Sequence, residues 1–223
     1  MGPITGQISG VSSVALGYGK GAFSTAGNLF TSGFPEGVAV GDFNGDGKLD
    51  AIVASGGSTM YPGAGLTVSL GNADGTFTQA NGSPIPVGQY LSAISTGDFN
   101  GDGKLDIAAT DSTGNAVIIL LGNGDGTFGA PTTMPVGSGP TAIVAGDFNS
   151  DGKLDLAVAN YGAGTVTLLL GNGDGTFTAA PGSPYSVGAF PFQIAAADFN
   201  GDGKLDLATA NLSAGTVSVL LQQ

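Results

Sequence analysis

Asp42, Asn44, Asp46 and Asp50 put side-chain oxygens at positions 1, 3, 5 and 9 of the string DFNGDGKLD. In a tightly curled loop alternate residues turn inward, and Gly47 at position 6 permits the reversal that brings the Lys48 carbonyl onto the same centre. Three carboxylates, an amide oxygen and a carbonyl are hard donors. With a water or a second Asp50 oxygen they reach the roughly six to eight oxygens that calcium takes, whereas magnesium, which keeps its waters, fits less well.

The same chemistry is written four times. Asp98, Asn100, Asp102, Lys104 and Asp106 repeat it, as do Asp198, Asn200, Asp202, Lys204 and Asp206. A third copy, DFNSDGKLD, supplies Asp147, Asn149, Asp151, Lys153 and Asp155. In each copy the lysine contributes its carbonyl, and its ammonium points to solvent. An EF-hand would carry glutamate at position 12, but Val53, Ala109, Val158 and Thr209 stand there. Three carboxylates in one short loop repel one another unless a cation joins them. About four calcium ions are therefore expected.

Composition narrows the function classes. The chain has 223 residues and a formal charge of −12, with only 10% charged residues. Twelve of its 17 acidic residues are loop positions 1, 5 and 9, so the charge is concentrated in the loops. The 5 cationic residues are all lysines and four lie inside the loops, so no basic patch exists to neutralise phosphates, and nucleic acid is not an expected partner. Cysteine and histidine are absent, which removes disulfides, zinc sites, thiol nucleophiles and imidazole bases. No run is long and apolar enough for membrane insertion, and the first residues lack the basic start and apolar core of a signal peptide. Millimolar calcium outside cells saturates loops of modest affinity, so an extracellular or cell-surface location is expected.

The loops recur at intervals of about fifty residues, long enough for a four-stranded sheet. In the third repeat, strands are expected at 141–147, 154–160, 165–170 and 177–187, from runs of Val, Ile, Leu, Thr and Ala between clusters of Gly, Pro, Asn and Asp. The strings GNADGTF at Gly71 and GNGDGTF at Gly122 and Gly171 read as hairpin turns, with Asp74, Asp125 and Asp174 as turn caps. The loop phenylalanines Phe43, Phe99, Phe148 and Phe199 turn away from the ion and pack between sheets. An all-β fold follows: a β-propeller of four-stranded antiparallel blades in one domain, 1–223. Its parts are a partial blade at 1–37, repeats at 38–91, 92–140 and 141–191, and an incomplete repeat at 192–223. Four or five blades are expected, and Ala22 to Ser32 is placed to supply the outer strand of the last.

At this point the chain resembles the FG-GAP and VCBS repeats of integrin α-chain propellers, fungal propeller lectins and large bacterial surface proteins; Phe128-Gly129-Ala130-Pro131 spells the FG-GAP element. The resemblance implies calcium on one face of a propeller and a non-catalytic role in adhesion, with a glycan or a cell-surface protein as partner. On the rim opposite the loops the copies differ. Tyr61, Tyr90, Asp111, Asn160, Tyr161 and Asn211 lie there as candidate ligand-binding residues, pairing aromatic faces with polar groups, although packing and turn capping are competing roles. One alternative is a surface fibre or other homo-oligomer assembled by exchange of terminal strands. Another is a carbohydrate-active enzyme using Asp111 and Tyr161, disfavoured because Asp111 has no acidic partner and the chain has no arginine to clamp an acidic sugar.

Overall fold

A computed structural model describes residues 11–17, 23–57 and 64–222, and every regular element in them is a strand. Two strands open the chain, β1 (Val11–Gly17) and β2 (Phe23–Phe30), paired as a separate antiparallel sheet. The first blade orders β3 (Phe34–Gly41), β4 (Asp50–Gly56), β5 (Gly65–Gly71) and β6 (Phe77–Gln79). The second orders β7 (Leu91–Gly97), β8 (Asp106–Asp111), β9 (Ala116–Leu120) and β10 (Thr132–Pro135). The third contains β11 (Pro140–Gly146), β12 (Asp155–Asn160), β13 (Thr165–Gly171), β14 (Phe177–Ala179) and β15 (Tyr185–Ser186). The fourth has β16 (Pro191–Ala197), β17 (Asp206–Asn211) and β18 (Thr216–Leu220).

Each blade is a meander of neighbouring strands, as short turns dictate. The second strand of each of the first three blades is buried along its whole length, because a neighbouring sheet covers each of its faces. Its sequence is therefore a continuous apolar run, with alanines where the sheets approach closely. Ile52 and Ala54 pack with Ile107 and Ala109 of the next blade, while Ala51 and Val53 pack with Leu29 of β2. The same alternation joins Val117 and Ile119 to Leu156 and Val158, then Ala157 and Val166 to Leu207. The inner strands β3, β7, β11 and β16 lie side by side in that order and line a cavity of about 210 Å³, with Gly37, Ala93, Ala142 and Gln193 on its wall. The fold is thus a β-propeller of four blades with an added two-stranded sheet.

Two strand expectations need correction. The outer strand foreseen at 177–187 breaks into β14 and β15, because Pro181, Gly182 and Pro184 interrupt it. The clasp of Ala22 to Ser32 onto the last blade does not form: β2 pairs with β1 from Phe23↔Gly17 to Phe30↔Val11, and Leu29 packs on the first blade. The hairpin partner is adjacent in sequence, so this pairing closes a far shorter loop than the clasp would.

The loop phenylalanines report which blade faces are covered. Phe43, Phe99 and Phe148 are 3%, 2% and 5% exposed, whereas Phe199, in the same loop position of the fourth blade, is 50% exposed. Phe99→Ala is expected to cost about 3–4 kcal/mol through the cavity left behind, and Phe199→Ala less than about 1 kcal/mol. Urea unfolding of the two variants checks this, and equal losses would contradict the blade arrangement.

Candidate metal centre

Each loop leaves the inner strand of its blade and re-enters the second. In the first, Asp42 Oδ1 accepts the N–H of Gly45 at 2.8 Å and of Asp46 at 3.2 Å, and Oδ2 accepts that of Gly47 at 2.8 Å. Asn44 Oδ1 accepts Asp46 N–H at 3.0 Å, and Asp46 Oδ1 accepts Lys48 N–H at 2.9 Å. The side chains at positions 1, 3 and 5 therefore turn into the curl. Gly47, Gly103, Gly152 and Gly203 have φ of 79°, 80°, 83° and 85°, the left-handed backbone that position 6 requires.

Position 9 behaves differently from expectation. Asp50 is fully buried; its Oδ2 accepts Phe43 N–H at 2.9 Å and its Oδ1 accepts Gly71 N–H at 2.8 Å. Asp106 holds Phe99 and Gly122 in the same way, Asp155 holds Phe148 and Gly171, and Asp206 holds Phe199 and Gln222. These carboxylates tie the loop to the end of the third strand, and only their second lone pairs remain for an ion. The approach is close: a Cβ on Gly122 would sit 2.2 Å from the Leu105 carbonyl oxygen. Burial pushes the Asp106 and Asp155 carboxyls up, against two N–H bonds that pull each down, and the other loop carboxylates, Asp98 with Asp102 and Asp147 with Asp151, push the same way as burial.

Among the described residues no three carboxylates are already gathered in coordinating geometry. The donor set nonetheless fits a hard dication. Asp46 Oδ2 takes a cation now, the Lys48 ammonium at 2.9 Å, which holds the Asp46 carboxyl below its usual range, and Lys104 pairs with Asp102 at 3.4 Å. These ammonium groups thus turn back to the loop instead of to solvent. In the third and fourth loops the amides of Asn149 and Asn200 donate to Asp151 and Asp202 at 3.1 and 3.0 Å. The position-5 carboxylate recruits a positive or donor group in four loops out of four. A bound calcium would be held by Asp42, Asn44, Asp46 and the Lys48 carbonyl, with their counterparts in the other loops.

The loops also bridge blades. Phe43 O accepts Gly126 N–H from the outer turn of the next blade at 3.0 Å, and Phe99 O accepts Gly175 N–H likewise at 3.0 Å. In the outer turns of the first three blades Asp74, Asp125 and Asp174 accept the N–H and hydroxyl of Thr76, Thr127 and Thr176, so they cap the turns.

On the opposite rim the expected ligand residues divide. Asp111 is 5% exposed and accepts N–H groups of Gln89, Tyr90 and Gly114, which makes it a turn cap. Asn160 is fully buried beneath Gly137 and donates to Thr165 and Thr167; Asn211 is buried beneath Gly188 and donates to Thr216 and Ser218. None of the three presents a face to a ligand, which corrects the sequence expectation: each closes the polar end of a second strand. Tyr61 lies outside the described residues. Tyr161 does reach the rim and stacks with Phe190 at 4.7 Å and Phe192 at 6.3 Å, the two phenylalanines being 39% and 49% exposed.

Tyr90 lies over Gly56 and donates its hydroxyl to Glu36, a partner 54 residues away that nothing local in the sequence marks. The Glu36 carboxylate, followed by burial, pushes the Tyr90 phenol up to about 12. Because its folded pKa lies above the unfolded value, the bond stabilises the fold below about pH 10 and is lost as pH rises through about 12. An absorbance titration should show one late phenol that Tyr90→Phe removes; an unchanged curve would contradict the pairing.

A family model described as an FG-GAP-like repeat matches residues 52–109, 98–158 and 147–209. Each match ends in the second strand of a blade; the first starts inside β4 and contains one of the aspartate loops, and the second and third each start at a loop and contain two. No curated protein matches the chain. Among solved structures, a candidate 6-phosphogluconolactonase from Bacteroides uniformis is 14% identical, with a TM-score of 0.67 over 89% of this chain and 56% of its own. A functionally unknown protein from Desulfotomaculum acetoxidans is 16% identical, with a TM-score of 0.58 over 92% and 60%. A streptogramin B lyase is 18% identical, with a TM-score of 0.54 over 92% and 60%. The chain therefore spans less than two thirds of these structures, and likeness at such identity reaches the fold alone.

Proposed function

Because the chain belongs to the FG-GAP-like repeat family, we propose that it is a calcium-stabilised, non-catalytic propeller that works outside the cell in adhesion, binding a glycan or a surface protein. The observation that carries this reading is the fourfold repetition of an Asp, Asn, Asp donor set around a left-handed glycine, with the position-5 carboxylate drawing in a positive or donor group each time. Calcium supplies charge neutralisation and cross-links the loop. The chain's own residues do the rest: the position-9 aspartates fix each loop to its blade, and the loop carbonyl at position 2 holds the neighbouring blade's turn.

The recurrent polar residues serve loops and turns, and Asp111, the one acid offered for catalysis, is occupied by three backbone donors. The aromatic surface of Tyr161, Phe190 and Phe192 is the part of the far rim best suited to a ligand, because exposed rings stack on the apolar faces of sugars or anchor a protein partner. Calorimetric titration of chelator-treated protein should saturate near four calcium ions. Absence of binding heat at millimolar calcium would remove the reading. A glycan array, with Tyr161→Ala as control, then separates a sugar from a protein ligand.

A further inference from the structure

The side-chain amide of an asparagine lies one five-membered ring away from the backbone nitrogen that follows it. When that nitrogen belongs to glycine no side chain obstructs ring closure, and intramolecular placement supplies much of the reactivity. Six asparagines of this chain are followed by glycine: Asn44, Asn81, Asn100, Asn123, Asn172 and Asn200. The fold does not treat them alike.

In the first loop the nitrogen that would attack, Gly45 N, donates to Asp42 Oδ1 at 2.8 Å, so a carboxylate draws on its proton. The carbonyl that would be attacked accepts Asp46 N–H on Asn44 Oδ1 at 3.0 Å, which stabilises the negative charge this oxygen gains. The second loop repeats both bonds, Gly101 N to Asp98 Oδ1 at 2.7 Å and Asp102 N to Asn100 Oδ1 at 2.9 Å. Among the described residues no hydrogen bond holds the amide nitrogens of Asn44 and Asn100, the groups that would leave. In the fourth loop both bonds recur, but the Asn200 amide is tethered to Asp202 at 3.0 Å. The outer turns show the opposite arrangement. The amides of Asn123 and Asn172 are clamped on Thr127 and Thr176 at 2.9 and 2.8 Å, and among the described residues no carboxylate accepts the N–H of Gly124 or Gly173. The third loop dispenses with the glycine: Ser150 holds φ at 61° where Gly45, Gly101 and Gly201 have 73°, 75° and 79°, and the Asn149 amide is tethered to Asp151.

We propose that Asn44 and Asn100 are self-modification sites of the metal-free protein, converting to aspartate and isoaspartate. The glycine nitrogen bonds to the asparagine Cγ, the bond from Cγ to its amide nitrogen breaks, and the amide departs as ammonia with the glycine's proton, leaving a succinimide. Water then opens the ring at one carbonyl or the other, giving aspartate or isoaspartate, and nothing is oxidised or reduced. Isoaspartate routes the main chain through its side-chain carbon and so adds one atom to the backbone of the curl. The side chains at positions 1, 3 and 5 then no longer converge, and the loop is lost for good. The protective half of the proposal rests on the calcium reading: oxygens of Asp42 and Asn44 engaged by an ion are no longer free to set up the attack. A loop left empty thus disables itself, the fourth more slowly than the first two, while the third, with Ser150, is spared.

The chain carries its own controls. The parent protein is compared with Gly101→Ser, which copies the third loop, and with Ser150→Gly, which copies the other three. Each is incubated in mildly alkaline buffer at body temperature, in chelator or in millimolar calcium, and its peptides are mapped by mass and for isoaspartate. In chelator Asn44 and Asn100 should convert at least about fivefold faster than Asn123 and Asn149, the worth of roughly one net hydrogen bond. Gly101→Ser should protect Asn100, and Ser150→Gly should bring Asn149 to the rate of Asn200, with Asn44 unchanged in both. Conversion of Asn123 as fast as Asn100, or of Asn100 unslowed by Gly101→Ser, would overturn the proposal. Conversion at Asn44 and Asn100 that calcium fails to slow would uphold the sites and overturn the protective half together with the calcium reading.

Discussion

Asp106→Ala is expected to destabilise the protein by about 3–5 kcal/mol whether or not calcium is present. The carboxylate is fully buried and satisfies two backbone donors, Phe99 N–H at 2.8 Å and Gly122 N–H at 2.8 Å. Truncation leaves both N–H groups without partners in a dry seam, and each such orphan costs about 1–3 kcal/mol. Gly122 cannot move away to find water, because it is pressed against the Leu105 carbonyl. For a domain of this size the loss corresponds to a fall in Tm of about 10 °C. Asp106→Asn should lose less, since the amide oxygen still accepts one bond. Urea unfolding in chelator decides the matter: a midpoint close to that of the parent would mean that Asp106 matters only through an ion.

That distinction was not legible in the sequence, although much else was. The loop string is local, and the backbone glycines within it fix its curl wherever it occurs, so the direction of Asp42, Asn44 and Asp46 could be read from spacing alone. The blade repeat and the burial of Phe43, Phe99 and Phe148 follow from the same recurrence. Asp50 and Asp106 looked like further ligands because spacing specifies an inward side chain without saying whether an ion or a backbone amide from a distant strand meets it. The far rim failed for a related reason. Asp111, Asn160 and Asn211 are polar residues at strand ends, which equally describes a binding lip and a cap, and only the glycines packed above them, Gly114, Gly137 and Gly188, decide for the cap. The place of β2 depends on whether a hairpin neighbour or a remote edge wins it, and hydrophobic pattern does not rank the two. Likewise, Phe199 carries the same local signature as Phe99, and its exposure reflects what covers the fourth blade.

Stripping calcium should produce the largest change of all. A ligand that binds only the folded state stabilises it by RT ln(1 + [L]/Kd). With affinities typical of extracellular calcium modules, about 0.1–1 mM, four loops in 10 mM calcium would together contribute about 6–11 kcal/mol. Tm should then fall by on the order of 15 °C or more in chelator, with magnesium restoring only a minor part. Electrostatics point the same way: four dications would bring the formal charge of −12 to about −4, relieving repulsion inside each loop. The two kinds of aspartate separate here. Asp46 is exposed and its Oδ2 is met by a lysine. Asp46→Ala should therefore reduce the calcium-induced rise by about one quarter, the share of one loop in four equal sites, and leave the chelated protein nearly unchanged. Asp106→Ala should lower both states. If calcium fails to raise Tm, or if Asp46→Ala behaves as Asp106→Ala does, the loops are structural turns and calcium has no part in this fold.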